Sequence, residues 1–336
     1  MKKLKLFVLY SLLLLALAAT AISAAAWYWV EQPVDLDHDR IDYLIESGSR
    51  PRTIAQAMNQ AGIHVHEDAF VILARLTGLD KQLQAGAYEA VAGDTPRTLL
   101  ERMANGDMTQ TRLTLVEGWS YKRIREALRN DANVKQTLDG VSDDELLQKL
   151  GADANSTEGL FYPDTYVFTP GTSDFDVLRR AYQTQHDMLE TLWNERSPNL
   201  PLKTPYEALI LASIVEKETG HHVDRGKVAG VFINRLRLGM PLQTDPTVIY
   251  GMGDAYQGRI RKKDLTTDTP WNTYTRSGLP PTPIASPGRA ALLATLHPEE
   301  HKFLYFVSRG DGTSEFSTNL AAHNRAVSKY ILKRGG

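Results

Sequence analysis

Glu216 and Glu218 stand at the end of a long apolar segment, where a carboxyl group could act as a proton donor. On a helix, the positions seven, four and three residues before Glu218 are Leu211, Ile214 and Val215, so this carboxyl continues an apolar stripe. A carboxyl held against apolar surface has a raised pKa, which a general acid near neutral pH requires. The alternative is a non-catalytic role, in which both glutamates only solubilise the end of the helix. The pattern supports catalysis and solvation equally well.

The residues that follow these glutamates do not have the spacing of a metal site. His221 and His222 are adjacent, and Asp224 comes two positions later. Adjacent histidines on a turn rarely converge on one ion, and the two-histidine helix spacing of zinc proteases is absent from the sequence. We therefore predict a solvated loop here, with no metal and no cofactor.

A buried helix is predicted to position the glutamates. Thr204-Pro205-Tyr206-Glu207 supplies a cap, a proline at the first helical position and a glutamate at the third. The helix is predicted to run over Pro205–Thr219 and to stop at Gly220. Strands and helices that precede it predict an α+β fold. They are strands at Ile41–Ile45, Gly86–Val91 and Arg112–Val116, helices at about Thr53–Gly62, Glu67–Leu76 and Asp174–Glu195, and helices capped by Thr95, Ser120 and Ser142.

The glutamate segment also resembles the signature of a known enzyme family. Glu216-Lys217-Glu218-Thr219 after a buried helix is similar to the motif of the endolytic murein transglycosylases, the MltG/YceG-like family. Further blocks in the same order support the resemblance: Glu117–Ser120, Glu158–Tyr166, Val231–Leu236, Leu242–Tyr250, Trp271–Tyr274, Gly278–Pro281 and Tyr305–Val307. The sequence departs from the family pattern at Ser286 before Pro287-Gly288, at Ser314-Glu315-Phe316, and at Ala322 before His323-Asn324.

The resemblance implies a membrane-anchored lyase that cleaves the MurNAc–GlcNAc β-1,4 bond within nascent peptidoglycan strands. The products would carry 1,6-anhydroMurNAc ends, and the cut would terminate glycan elongation. The catalytic glutamate of the family corresponds to Glu218. The implied location is the cell inner membrane with the catalytic domain in the periplasm. The implied partners are peptidoglycan strands and peptidoglycan synthases.

Such a reaction needs one carboxyl group, because the C6 hydroxyl of the sugar itself closes on C1. A glycosidase with paired carboxyl groups needs the second about 5–10 Å from the first. Asp245 is the best candidate for that partner, although Asp245-Pro246 is also typical of a turn or a helix cap. If the substrate N-acetyl group stabilises the sugar cation instead, polar groups need only orient it. The candidate substrate-binding residues are Asn234, Gln243, Thr244, Asp245, Tyr250 and Tyr274.

Two other functions fit the same residues. One is a non-catalytic peptidoglycan-binding or assembly scaffold, in which the glutamates are incidental. The other is a muramidase-type hydrolase that uses the same glutamate with a water nucleophile. The ends released from peptidoglycan separate the three, because a lyase leaves anhydro ends, a hydrolase leaves reducing ends and a scaffold releases nothing.

Composition excludes several other classes. The chain has 336 residues, enough for roughly two domains. Its 38 basic and 40 acidic residues give a net charge of -2, which argues against a protein that coats nucleic acid. With no cysteine, disulfides, thiolate nucleophiles and cysteine-ligated zinc are excluded.

The first thirty residues predict a membrane anchor. Lys2, Lys3 and Lys5 precede an uncharged stretch over residues 6–30, longer than the roughly 20 residues that cross a bilayer. The lysines should stay cytoplasmic, and Trp27-Tyr28-Trp29 suits the outer interface. A cleaved signal peptide is the alternative. Small-residue cleavage sites occur at Ala21–Ala24 and Ala24–Ala26.

The region after the anchor resembles a small carbohydrate-binding module. Tyr88–Val91 and Gly93–Pro96 form a strand, a Gly-Asp-Thr turn and a helix start, similar to a LysM module. An α/β spacer without a ligand explains the same pattern equally well. The predicted organisation is a cytoplasmic tail (1–5), a transmembrane helix (6–30), a linker (31–40), a LysM-like domain with a connecting βα unit (41–140) and a larger mixed α+β catalytic domain (141–336).

Overall fold

The computed structural model describes residues 2–218 and 222–332 and has the mixed α+β architecture that the sequence predicts. The chain divides into two compact units. The first contains the described part of Met1–Thr111 together with Val167–Thr172. The second contains the described part of Arg112–Tyr166 and Ser173–Gly336.

The chain begins with a long apolar helix, α1 (Lys2–Glu31). Its segment Leu9–Glu31 is long and apolar enough to cross a membrane, by length and composition, with a mean hydropathy of 2.0. At the end of α1, Val30 is buried in the core of the first unit. There the carboxylate of Glu31 forms an ion pair with Arg97, whose Nε lies 2.9 Å from Glu31 Oε1.

The first unit is built from short strands and amphipathic helices. After α1 come β1 (Asp35–Leu36), β2 (Arg40–Ile45), α2 (Pro51–Gln60), β3 (Ile63–His64), α3 (Glu67–Leu76), β4 (Gly86–Val91) and α4 (Pro96–Asn105). Strands β2 and β4 pair antiparallel with Tyr43 opposite Tyr88, and β1 pairs antiparallel with β3. The predicted bounds of α3 and β4 are confirmed. Helix α2 begins at Pro51, two residues before the predicted Thr53, because that proline occupies the first turn.

Mostly helical elements make up the rest of the chain. They are β5 (Thr111–Thr114), α5 (Tyr121–Asn130), β6 (Val134–Lys135), α6 (Asp143–Leu150), β7 (Thr165–Phe168), β8 (Thr172–Ser173), α7 (Asp174–Asn194), α8 (Pro205–Glu218), α9 (Arg225–Arg237), α10 (Asp245–Met252), α11 (Lys262–Thr266), α12 (Arg289–Leu296), β9 (Tyr305–Ser308), β10 (Ser314–Ser317) and α13 (Leu320–Tyr330). Strands β9 and β10 form an antiparallel hairpin.

Helix α8 is the core element of the second unit and packs against α7, α9, α10 and α12. Every residue from Ala208 to Val215 is buried, so the helix is apolar on all sides, as expected for an interior helix. The buried Ser213 hydroxyl donates to the carbonyl of Ile210 at 2.7 Å and accepts the N–H of Ile284 at 3.0 Å. The predicted stop at Gly220 lies outside the described residues.

One predicted strand ends earlier than expected. Strand β5 stops at Thr114, whereas the sequence predicted Arg112–Val116. The N–H of Leu115 bonds to the carbonyl of Asp164, and the chain then turns, with the N–H of Trp119 bonding to the carbonyl of Val116. The turn takes the last two predicted residues out of the strand.

Candidate functional site

A cavity of about 330 Å³ lies beside the last residue of α8. Because α8 is buried from Ala208 to Val215, the packing around this part of the helix positions its last turn. Parts of α9, α10, β9 and α13 complete the wall. We call this cavity the Glu218 cavity. The residues that line it are Glu218, Phe232, Arg235, Leu242, Gln243, Asp245, Tyr274, Tyr305, Phe306, Leu320 and His323.

The Glu218 carboxyl is partly buried in this cavity. Burial raises its pKa above the ordinary value for glutamate, and the nearby negative charge of Asp245 raises it further. The hydroxyl of Thr244 donates a hydrogen bond to Glu218 Oε1, which acts in the opposite direction because it stabilises the carboxylate. A carboxyl group whose pKa is raised in this way is suited to donate a proton to a substrate as a general acid.

Glu216, two positions earlier, has different surroundings. Its Oε2 accepts the N–H of Gly288 at 3.0 Å, and its Oε1 lies 3.9 Å from Arg225 Nη2. Burial also raises the pKa of Glu216, but its side chain does not line the Glu218 cavity. Among the described residues, this carboxyl links α8 to the start of α12.

The chain around the start of α10 places three of the predicted substrate-binding residues close to Glu218: Gln243 and Asp245 line the cavity, and the buried Thr244 bonds Glu218. Gln243 has a positive φ of 51°, which only a minority of non-glycine residues adopt, and its side chain lines the cavity. The N–H of Thr244 donates to Thr273 Oγ1 at 3.1 Å, which aims the Thr244 side chain at Glu218. Asp245 lies in the first turn of α10, so Asp245-Pro246 forms the start of a helix. This agrees with the structural interpretation of the two residues as a turn or helix cap.

Tyr274 and Asp245 form a pair in the cavity wall. The phenol of Tyr274 donates to Asp245 Oδ1 at 2.6 Å. Burial and the Asp245 charge both raise the pKa of Tyr274, so the phenol keeps its proton. The second carboxylate oxygen of Asp245 accepts no hydrogen bond within the described part of the chain. The pair therefore presents a negative oxygen to the cavity without a positive side chain bonded to it.

The structure does not bring Asn234 and Tyr250, the other two predicted substrate contacts, to this cavity. Asn234 Nδ2 donates to the carbonyls of His301 and Phe303 at 2.9 and 3.1 Å, which joins α9 to the segment before β9. The hydroxyl of Tyr250 donates to Glu158 Oε2 at 3.3 Å. Both side chains have structural partners of their own.

Sequence reasoning missed three side chains of the cavity, Arg235, Tyr305 and His323. The rings of Tyr305 and His323 stack with centroids 5.2 Å apart, and the Arg235 guanidinium lies 4.9 Å from the Tyr305 centroid. Burial and the Arg235 charge lower the pKa of His323, which favours the neutral imidazole. Arg235 lies in the block Val231–Leu236 and Tyr305 in the block Tyr305–Val307, but no local spacing joins these residues to Glu218.

Glu158, the first residue of the block Glu158–Tyr166, is another acidic residue to which sequence reasoning assigned no role of its own. Its side chain is 5% exposed, and burial raises its pKa to about 7. Hydrogen bonds from the N–H of Tyr121 at 3.0 Å and from Tyr250 oppose that rise. Glu158 thus connects the start of α5 with the last turns of α10.

Within residues 2–218 and 222–332, no three or more histidine, aspartate and glutamate side chains gather in a way that could hold a metal ion. His221, one of the two adjacent histidines, lies outside the described residues.

Comparisons with known proteins agree with this geometry. The sequence model of the YceG-like family matches residues 43–329. An endolytic murein transglycosylase of Bacillus subtilis (strain 168) is 31% identical over 322 residues, which cover 90% of this chain and 88% of that protein. An endolytic murein transglycosylase of Streptococcus pneumoniae serotype 2 is 26% identical, with 97% of this chain aligned to 65% of that protein. A crystal structure of a YceG-like protein from Listeria monocytogenes superposes with a TM-score of 0.53 at 25% identity, covering 85% of this chain and 98% of that one.

Proposed function

The chain belongs to the YceG-like family, and from that membership we propose that Glu218 is the catalytic acid with which it cuts glycan strands. The chain is a lytic transglycosylase, a lyase that acts on peptidoglycan. The observation that supports Glu218 is its place in the cavity, where burial and the charge of Asp245 both raise its pKa.

In the first step, the protonated Glu218 donates its proton to the glycosidic oxygen between MurNAc and GlcNAc. The bond from C1 of MurNAc to that oxygen breaks, and C1 develops positive charge. The Thr244 hydroxyl stays bonded to Glu218 Oε1 and stabilises the carboxylate as it forms. The negative charge of Asp245 attracts the positive sugar across the cavity.

In the second step, the Glu218 carboxylate takes the proton of the C6 hydroxyl. The C6 oxygen then forms a bond to C1, which closes a 1,6-anhydroMurNAc ring and returns Glu218 to its protonated form. No water and no second catalytic carboxyl group takes part. General acid–base assistance of this kind typically contributes about 10²–10⁴-fold to the rate.

The pair of Asp245 and Tyr274 suits the N-acetyl group of MurNAc. The second oxygen of Asp245 can accept the N–H of the acetamide, while Tyr274 fixes the orientation of the carboxylate. An acetamide held in this way turns its carbonyl oxygen towards C1 and can stabilise the positive charge there. Gln243 lies beside this pair and can bond a neighbouring hydroxyl.

The wider proposal follows the domain organisation that the sequence predicts. Helix α1 anchors the chain once in the inner membrane, and residues 141–336 form a periplasmic catalytic domain. Residues 41–140 contain a LysM-like module that holds glycan near the catalytic domain. Cutting nascent strands internally terminates their elongation, and peptidoglycan synthases are the natural partners of such an enzyme.

The test compares Glu218→Gln with Glu216→Gln on polymerised peptidoglycan, with mass spectrometry of the released ends. Glutamine keeps the size of the side chain but cannot donate and reclaim a proton. We expect anhydro ends from the native chain, a fall of at least about 10²-fold for Glu218→Gln, and a far smaller fall for the Glu216 variant.

Other outcomes identify the alternatives. Reducing ends from the native chain would make it a muramidase-type hydrolase, with Asp245 as the next residue to test. A native chain that binds strands but releases no ends would be a scaffold. An inactive Glu216 variant beside an active Glu218 variant would reverse our assignment of the two carboxyl groups.

A further inference from the structure

A second cavity, of about 620 Å³, lies in the loop between α10 and α11. We call it the basic cavity, because four of its lining side chains are positively charged. Its wall consists of Met252, Ala255, Gln257, Arg259, Ile260, Arg261, Lys262, Lys263 and Asp264. None of these residues lines the Glu218 cavity.

The loop around the basic cavity is held in place at several points. Asn272 is almost fully buried, and its Nδ2 donates to the carbonyls of Leu265 and Thr267 at 3.2 and 2.7 Å. Asp264 accepts the N–H of Arg261 at 2.7 Å, which caps α11. On the other side, Lys122 Nζ bonds Asp254 at 2.6 Å. The cavity therefore has a built frame around its charged side chains.

The charge of the basic cavity is not neutralised by the protein. Arg259, Arg261, Lys262 and Lys263 are all exposed, and none makes a salt bridge with a described residue. Asp264 is the one acidic residue in the wall. A local excess of positive charge on a chain whose net charge is -2 favours an anionic ligand.

Helix α10 connects the two cavities. Asp245 at its first turn lines the Glu218 cavity, and Met252 at its last residue lines the basic cavity. Eight residues that rise about 1.5 Å each place the two ends roughly 10 Å apart. Three extended peptide residues span about the same distance.

We propose that the basic cavity binds the carboxylate groups of the peptide stem attached to muramic acid. The inference rests on the proposed function, in which a MurNAc residue occupies the Glu218 cavity. A stem that leaves this sugar reaches the basic cavity after about three residues, where its side-chain and terminal carboxylates meet the four cations. The enzyme thereby prefers peptide-bearing strands over bare glycan.

The experiment measures binding and cleavage of two substrates by the full chain. One is soluble glycan that bears peptide stems. The other is the same glycan after an amidase has removed the stems, which leaves the lactyl carboxylate on the sugar. A quadruple glutamine variant replaces the four cations, and a matched control removes four exposed positive charges elsewhere in the second unit. The control positions are Arg112, Arg129, Lys135 and Lys149.

We expect the native chain and the control to bind peptide-bearing glycan about tenfold more tightly than stripped glycan, since four exposed ion pairs each contribute weakly. The quadruple variant should lose this preference and cleave stripped glycan as the native chain does. The native preference should also shrink as salt is added.

Three results would overturn the inference. The first is an unchanged preference for peptide-bearing glycan in the quadruple variant. The second is an equal loss of affinity for both glycans in that variant. The third is binding of inorganic pyrophosphate by a native chain that shows no preference for peptide stems, which would assign the cavity to a phosphate ligand. Native binding that shows the preference without any cleavage would instead refute the proposed function and keep the inference.

Discussion

The two carboxyl groups at the end of α8 show why a raised pKa alone does not identify a catalytic acid. Burial raises the pKa of both Glu216 and Glu218. Glu216 bonds the N–H of Gly288 and does not line the cavity, whereas Glu218 faces it together with Asp245. Access to a cavity that can hold substrate therefore separates the two roles.

At the residue scale, two substitutions should move the pH profile in opposite directions. In the proposed mechanism Glu218 must be protonated for the first step, so we expect the rate to fall as pH rises through its pKa. Thr244→Val removes a hydrogen bond that lowers this pKa, and the alkaline limb of kcat should move to higher pH. Asp245→Asn removes a charge that raises the pKa, so the limb should move to lower pH.

The measurement is kcat against pH for the native chain and for both variants. Lys149→Gln, an exposed change on α6, is the matched control and should leave the limb where it is. A shift of both variants in the same direction would contradict the assignment, because Thr244 and Asp245 act on the carboxylate with opposite signs.

At the element scale, α10 is fixed at both ends. Its first turn is held by Thr273, whose hydroxyl accepts the N–H of Thr244 and lies 2.8 Å from Thr247 Oγ1. Towards its other end, Tyr250 bonds Glu158 and packs edge-on against Trp271. Because Asp245 and Met252 lie at opposite ends of this helix, its position sets the geometry of both cavities.

The Glu158 contact predicts a pH-dependent stability. Its folded pKa of about 7 lies above the ordinary glutamate value of 4.5, so between these values the folded chain holds a proton that the unfolded chain releases. The free energy of unfolding therefore loses up to about 1.4 kcal/mol per pH unit as pH rises through this window. Glu158→Gln cannot titrate, and its free energy of unfolding should fall less between pH 5 and pH 7.

Urea denaturation at pH 5 and pH 7 tests this expectation. The native chain and Glu195→Gln, an exposed control on the segment after α7, should show the same loss of stability between the two pH values. If Glu158→Gln shows that loss in full, another group is responsible for the pH dependence.

The elements of this chain could be predicted where the signals are local. Thr95, Ser120 and Ser142 cap helices as predicted, because a hydroxyl three positions from an N–H is a property of the sequence itself. The apolar run of α8 likewise predicted a buried helix. The partners of Asn234 and Tyr250 could not be predicted, since His301, Phe303 and Glu158 are distant in sequence.

At the scale of the whole molecule, charge and hydropathy are divided unevenly. Among the described residues, one helix, α1, is long and apolar enough to cross a membrane. The lysines at its start and the aromatic residues near its end favour a cytoplasmic N-terminus. The remainder of the chain has the balanced charge of a water-exposed protein.

The absence of cysteine from the sequence makes this topology directly testable. Any single introduced cysteine is the one thiol of the chain, so its labelling reports one position. We expect a membrane-impermeant maleimide to label Ser277→Cys, an exposed position of the second unit, in intact spheroplasts, and to label Lys3→Cys only after lysis. Labelling of the Lys3 position in intact spheroplasts, and of the Ser277 position only after lysis, would show the opposite topology. Sequencing of a mature chain whose first residue follows Ala24 or Ala26 would show that most of α1 is removed. The anchor prediction would then be wrong, because a cleaved segment cannot hold the enzyme at the membrane.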